Sequence, residues 1–331
     1  MLENVDMPQV ASAFQTQEML KQEVWKTPSG CFQRLPNLEI LKLNGMEFPL
    51  TSDWDWSRFP RLRTLEVRCY VRRSDFRVTS SMENLQKLDI EDNHHLEGLP
   101  FLTEEMVPML SLSNCERLIG VPTISQLASL KFLFIARCPS LKDLSISFLP
   151  NLETVYSLFC NKVTTINISE CPSLRFVKIR DIHRLARVAF GGNFPRLAEI
   201  TLGGLEQLLD VSLGATDAFP QLTQLQIRDC GIDQLPEWFA SLTTLRTLEL
   251  WDLQNLDVIP DGVARLPLLR KLDLGGCKRI NMLPFADSED SSFYPSLEYL
   301  RLGETSVFQE HLSERLKKIA SFFNEKFFRG P

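Results

Sequence analysis

From residue 38 to residue 305 the chain repeats one phrase, L-x-x-L-x-L-x-x-(C/N). Its copies start at Leu38, Leu62, Leu85, Val107, Leu130, Leu152, Leu174, Leu197, Leu222, Leu245, Leu269 and Leu297. The spacing is 22 to 25 residues, except for a last interval of 28. Of the 36 residues at the three aliphatic positions, 35 are Leu, Ile or Val, and Ser157 alone departs. A period of this length, held over twelve copies, points to a stack of similar coils and not to two compact domains.

Each position in the phrase has a physical reason. The L-x-L core reads as a short strand whose alternate side chains turn inward. Stacking the coils pairs these strands into a parallel sheet and buries a ladder of aliphatic side chains. Proline lies two residues before the start in eight copies, for example Pro60, Pro150 and Pro220. Its fixed φ sets the chain entering the strand, where its missing N–H does no harm. The second halves of several copies end in L-x-x-L-P, as at Leu96–Pro100 and Ile232–Pro236, which predicts a turn on the far side. In the middle copies a second triplet recurs instead: Leu141, Leu144 and Ile146; Val163, Ile166 and Ile168; Leu185, Val188 and Phe190. Extra short strands are expected there, with an ambiguous register around Ser157. The fold class is therefore an α/β-type leucine-rich-repeat solenoid, or horseshoe. It should have a parallel concave sheet, a convex side of irregular turns and short strands, and a C-terminal helix cap.

Three regions follow from this pattern. Residues 1–30 form an N-terminal extension or a degenerate first repeat, residues 31–305 carry the twelve repeats, and residues 306–331 form the cap. The cap is predicted from "HLSERLKKIASFFNEKFF", His311 to Phe328, which places Leu312, Leu316, Ile319, Phe322, Phe323 and Phe327 near one helical face. "DSEDSS", Asp287 to Ser292, accounts for the long last interval as an acidic loop.

Composition narrows the function. A net charge of −6 argues against nucleic acid as the main partner. No run of 18 apolar residues predicts a membrane span. The N-terminus has no basic stretch followed by an apolar core, so it does not read as a secretory signal. Five of the eight cysteines, Cys115, Cys138, Cys160, Cys230 and Cys277, stand at the ninth position of the phrase. A small buried thiol fits there and can meet a turn carbonyl. This usage fits a reducing compartment, and a cytoplasmic location (the nucleus included) is expected. The lone sequon at Asn167 lies inside a convex triplet and reads as chance.

The sequence offers no chemistry to assign. It lacks the phosphate-binding, dinucleotide, nucleophile-elbow and metalloprotease motifs. His94 and His95 read as a surface turn. No catalytic residue, cofactor or metal ligand is expected in this chain, and the function should be binding. The variable residues between the leucines face outward on the concave side. Among them Phe132, Phe134, Tyr156, Phe159 and Phe176, with Arg137, Lys178 and Arg180 around them, have the composition of an interface core and its polar rim. Trp251 stands apart on a later repeat, near Arg246, Arg270, Lys271 and Arg301. Phe134 and Tyr156 are expected to be replaceable by alanine with little loss of thermal stability. A second candidate, a basic dock, is Arg58, Arg61, Arg63, Arg68, Arg72, Arg73 and Arg77. Seven arginines within twenty residues of an acidic protein would suit an acidic surface, with salt-sensitive affinity.

"LPEWFASLTTLRTLELWDLQNLDVIPDGVARLPLLRKLDLGGCKRINMLP", with "FPRLRTLEV" and "CPSLKDLSI", resembles the leucine-rich-repeat region of plant intracellular nucleotide-binding disease-resistance (NLR-type) proteins. The likeness spans roughly residues 31–305. It is strongest in the turns at Leu235–Phe239 and Ile259–Val263 and in the cysteine ladder. It implies a repeat domain that senses a pathogen effector, directly or through a guarded host protein, and holds a nucleotide-binding domain inactive. By resemblance only, Arg58–Arg77 would pack on that upstream domain. ADP or ATP would bind there and not in this chain, which is expected to be a fragment or a repeat-only relative. The alternative is a repeat-containing adaptor or substrate receptor, such as an F-box ubiquitin-ligase subunit or a phosphatase regulator.

Overall fold

The aliphatic triplets become strands at the same place in every copy. The structure is a computed structural model that describes residues 37–44, 59–68, 84–98, 107–213, 218–307 and 309–321, all within one unit, Arg34–Pro331. Residues 1–36 lie outside the described residues. The twelve repeats give β1 (Ile40–Asn44), β2 (Thr64–Arg68), β3 (Lys87–Glu91), β4 (Met109–Ser113), β5 (Phe132–Ala136), β7 (Thr154–Leu158), β9 (Phe176–Arg180), β11 (Glu199–Leu205), β13 (Gln224–Cys230), β14 (Thr247–Trp251), β15 (Lys271–Asp273) and β16 (Tyr299–Arg301). They pair in that order, all parallel, in a sheet completed by β17 (Ala320–Ser321). The register is the ladder that the sequence predicts. Leu225 pairs with Leu248 and Leu248 with Leu272, and each is at most 1% exposed.

The second triplets also form strands: β6 (Asp143–Ser147), β8 (Thr165–Ser169) and β10 (Arg187–Gly191). A fourth, β12 (Asp210–Leu213), joins them in a smaller parallel sheet. That strand was not anticipated, although Leu208 and Val211 are buried as its predecessors are. Beyond it the far side changes to single 3-10 turns at Glu237–Ser241 and Asp261–Arg265, each entered through a proline. Proline's φ near −60° suits that entry. The change of architecture is filled by aromatic rings. Phe190 meets Phe194 and Phe219 edge-on at 5.6 and 5.3 Å, and Phe219 leads on to Trp238 at 6.2 Å. The indole N–H of Trp238 donates to the Val211 carbonyl at 3.1 Å, tying the first turn to the last short strand.

Ser157 causes no ambiguity, contrary to expectation. It is fully buried in the ladder and pairs in register with Ile135 and Ile179. Backbone pairing on both sides of β7 fixes the register, and a small side chain there need not shift it. The ninth-position cysteines are buried as well, and their thiols donate to backbone carbonyls, as Cys230 does to Arg228 at 3.2 Å and Cys277 to Leu250 at 3.0 Å. Cys171, for which the sequence suggested no role, fills the equivalent place after β8 and donates to Ser169 at 3.2 Å.

A further regularity lies at the eighth position. Asp92, Asn114, Arg137, Phe159, Asp181, Asp252 and Gly276 all have positive φ. Each sends its N–H forward to a carbonyl of the next coil, for example Arg137 to Leu158 at 2.9 Å and Phe159 to Arg180 at 3.2 Å. Asp, Asn and Gly tolerate this left-handed backbone; Arg and Phe adopt it at a cost.

Among the described residues of the C-terminal segment, the predicted helix is interrupted at Ala320. The helix α1 runs only from Glu314 to Ile319. Ala320 and Ser321 then pair with Leu300 and Arg301, and the Leu302 N–H reaches the Ser321 carbonyl at 2.7 Å. The open edge of β16 presents unpaired backbone groups, and satisfying them draws the chain out of the helix. Leu312 and Leu316 are buried beneath this return, whereas residues 322–331 lie outside the described residues.

Candidate protein-binding face

Alternation along each strand puts positions 3, 5 and 7 of every repeat on the outer face of the long sheet, so the pairing register assembles them into columns. At one end the face neutralises itself. Lys42 and Lys87 both reach Glu66, at 2.7 and 3.6 Å, and Arg68 reaches Glu91 at 2.7 Å.

The next three strands carry no charge on this face. Met109, Ser111 and Ser113 on β4, Phe132, Phe134 and Ala136 on β5, and Thr154, Tyr156 and Leu158 on β7 occupy all nine outward positions. Phe132 meets Tyr156 edge-on at 5.6 Å, and the Lys178 ammonium lies 5.8 Å from the Tyr156 ring centre. The third flank is Phe176, with the Arg175 guanidinium over its ring at 5.3 Å. Of the residues predicted for this patch, Phe132, Phe134, Tyr156, Phe176, Lys178 and Arg180 therefore share one face. Tyr156 is more deeply packed than expected, at 8% exposed, because its neighbours on β5 and β9 close over the ring. That burial also pushes its phenol above the usual tyrosine range. Its replacement by alanine should cost stability, which corrects the expectation made from sequence; Phe134, half-buried, is the cleaner probe.

Arg137 and Phe159 sit elsewhere. Both occupy the left-handed eighth position, with φ of 52° and 57°, so they turn off the strand onto the rim. There the Arg137 guanidinium covers the Phe159 ring at 5.5 Å. The pair borders the uncharged band at Ala136 and Leu158, and Phe159 remains 38% exposed. A bulky aromatic that is both solvent-facing and in a disfavoured backbone region contributes little to the core.

Trp251 belongs to a second cluster. Its ring lies between two guanidiniums, Arg228 at 4.6 Å and Arg301 at 4.9 Å. Arg301 also pairs with Asp273 at 3.4 Å, and Lys271 with Glu249 at 2.6 Å beside the Tyr299 ring. Of the expected neighbours, Arg246 and Arg270 lie at the second position of their repeats, before the strands, and Arg270 faces Glu298 at 3.6 Å. Arg228 was missed by sequence reasoning. Counting back one repeat along the seventh-position column from Trp251 would have found it.

The arginine-rich stretch is only partly within reach. Arg58, Arg72, Arg73 and Arg77 lie outside the described residues. Arg61 and Arg63 precede β2, while Arg68 ends it, about 16 Å further along an extended chain. Arg63 approaches Glu39 at 4.0 Å, and Arg68 is held by Glu91.

Other reactive groups among the described residues are engaged in structure. His94 faces Glu116 at 3.1 Å. Burial pushes the Cys230 and Cys277 thiols up to about 12 and that of Cys171 up to about 11. Among the described residues no three His, Cys, Asp or Glu side chains gather as a metal ion requires, and no helix is long and apolar enough to cross a membrane.

A stack of parallel coils with aliphatic residues inside and a variable face outside is a leucine-rich-repeat solenoid, a class of scaffold that ordinarily works by binding other proteins. The comparisons with known proteins point to plant resistance proteins as relatives of part of these repeats. The family described as R13L1/DRL21 LRRs matches residues 206–277. Disease resistance protein RML1B of Arabidopsis thaliana is 30% identical over 145 residues, which cover 39% of this chain and 13% of that protein. The repeats are thus similar to the leucine-rich-repeat region of plant NLR-type resistance proteins, and the match takes in a small share of that relative's length. Among solved structures, a leucine-rich-repeat protein of Leptospira interrogans aligns with 88% of this chain and 93% of its own, at 18% identity and a TM-score of 0.30. An internalin, InlF, of Listeria monocytogenes aligns with 86% and 87%, at 15% identity and a TM-score of 0.37.

Proposed function

We propose that this chain is a non-enzymatic protein-recognition domain, the sensing and autoinhibitory repeat region of a plant intracellular immune receptor. Its ligand is a pathogen effector or a guarded host protein, seated on the outer face of the long sheet. The observation that carries this reading is the uncharged band across β4, β5 and β7, which sets half-buried Phe132 and Phe134 on the sheet face and extends to the exposed, strained rim residue Phe159. Aromatics within reach of solvent and covered by arginine, as Phe159 is by Arg137 and Phe176 by Arg175, are what binding hot spots are made of. Three strands at ~4.8 Å spacing give a band about 14 Å across, wide enough to be the central part of a larger footprint.

The similarity to a resistance protein supports the immune role. The domain acts in the cytoplasm or nucleus, and an upstream nucleotide-binding module is its second, intramolecular partner, with the arginine-rich stretch as the contact. The test is a pair of variants, Phe134→Ser and Phe159→Ser, in the full-length receptor. Each should abolish or alter the cell-death response to the cognate effector while accumulating normally. If both variants respond as the parent does, the face is not the sensor.

A further inference from the structure

The half of the sheet face beyond the uncharged band has a consistent electrical character. The outward positions of β9 to β16 carry five cations, Lys178, Arg180, Arg228, Lys271 and Arg301, against three acids, Glu199, Glu249 and Asp273. The face of β1 to β3 is balanced by contrast, with Lys42, Arg68 and Lys87 against Glu66, Asp89 and Glu91. The local cationic excess stands in a protein whose net charge is −6.

The seventh-position column arranges part of this excess in a line. It runs from Arg180 through Gly203 to Arg228 and Trp251 and reaches Gly275, across whose bare backbone the fifth-position Arg301 approaches the indole. Of its two glycines, Gly275 is the one that a side chain would disturb, while at Gly203 a Cβ would make ordinary contact with Arg180. A Cβ on Gly203 would stand 3.6 Å from Arg180 Nε, and one on Gly275 would stand 2.9 Å from Trp251 Nε1 and 3.1 Å from Arg301 Nε. Arg180 and Arg228 are half-buried on this face, whereas Arg301 is buried against Asp273. Planar guanidinium is the side chain that best takes a carboxylate, through paired N–H donors.

We propose that the segment recognised here is an acidic, aromatic- or aliphatic-bearing stretch of a protein. It lies across the strands, with apolar side chains on Phe132 and Phe134 and carboxylates on Arg180 and Arg228. This rests on the recognition reading above and adds the chemistry of the partner. Charge complementarity selects it: a basic segment would meet the cationic line with like charge, and a purely acidic one would leave the uncharged band bare.

The test uses the whole chain and three fluorescein-labelled synthetic peptides of equal length, built from Glu-Glu-Phe, Lys-Lys-Phe and Ser-Ser-Phe repeats, with binding followed by anisotropy. The Glu-Glu-Phe peptide should bind at least tenfold more tightly than either of the others. Its advantage should shrink as salt is raised. The double variant R180E/R228E should remove the advantage and favour Lys-Lys-Phe, while far-ultraviolet circular dichroism stays that of the parent. Phe132→Ser with Phe134→Ser should weaken every peptide alike. If the peptides bind equally and all respond to the phenylalanine variants, the acidic specificity is wrong and the recognition face stands. If no peptide binds, or none responds to the phenylalanine variants, both are wrong.

Discussion

The indole of Trp251 and the guanidinium of Arg301, two coils apart, lie against each other at 4.9 Å above the bare α-carbon of Gly275. An alanine at 275 would put a methyl group 2.9 Å from the indole nitrogen and separate the two. Gly275→Ala should cost about 1 kcal/mol, the scale of a partly desolvated cation–π contact. It should also shift tryptophan emission. Unchanged emission and an unchanged melting temperature would show that the stack does not form.

Arg301 has a second attachment below the stack. Its pairing with Asp273 is nearly dry, the two side chains being 6% and 8% exposed. Burial holds the Asp273 carboxyl above the ordinary carboxylate range, even though the Gly275 amide and Arg301 favour its charge. Arg301→Met removes the buried guanidinium that offsets that charge and should cost about 3 kcal/mol at neutral pH. Adding Asp273→Asn should recover most of the loss. The sign with pH follows from the raised pKa: the protonated carboxyl is the form that the fold prefers, so the deficit of the single variant should shrink as pH falls toward 4. Chemical denaturation at pH 7 and pH 5 measures both effects.

The cysteine ladder makes a prediction at the alkaline end. Burial pushes the Cys230 and Cys277 thiols up to about 12 in the folded chain, against 9.0 for an ordinary thiol. The folded state thus prefers the neutral thiol and the unfolded chain the thiolate. Their contribution to stability is complete below pH 9 and is lost as pH climbs toward 12. The urea midpoint should fall steadily across that window. Under native conditions at pH 8, alkylation should leave these two and Cys115, Cys138, Cys160 and Cys171 untouched, as mass spectrometry of the digest would reveal.

Phe148 offers a stabilising substitution. It follows β6 with φ of 58° and is 68% exposed, so the left-handed backbone is occupied by a side chain that packs little. Asparagine takes the same backbone with less strain, and Phe148→Asn should gain about 1 kcal/mol. A melting temperature lower than the parent's would mean that the ring makes a contact worth more than the strain.

The comparison of Leu225 with Phe159 shows how much was legible in the sequence. Leu225 belongs to a column repeated twelve times, and alternation fixes which way it points; the long sheet, the first three strands of the short one and the outward set Phe132, Phe134, Trp251 could be read in the same way. Phe159 stands one step past the strand, where the backbone turns left-handed and alternation no longer holds, so its place on the rim was hidden. The burial of Tyr156 depends on ring-to-ring approach between coils that share no local signal. Ala320 and Ser321 form a strand because an edge needs partners, a cause that lies outside their own sequence.

That last pairing has a mechanical consequence. A parallel sheet built from near-identical rungs will accept another rung wherever its final strand is bare, including one from a neighbouring molecule. The strand Ala320–Ser321 laid on Leu300 and Arg301 occupies that position on the last repeat, so the edge of β16 is not left bare. Cutting the chain after Ile319 should therefore change its company more than its core: the shortened protein would associate into dimers or fibres while its leucine spine stayed intact.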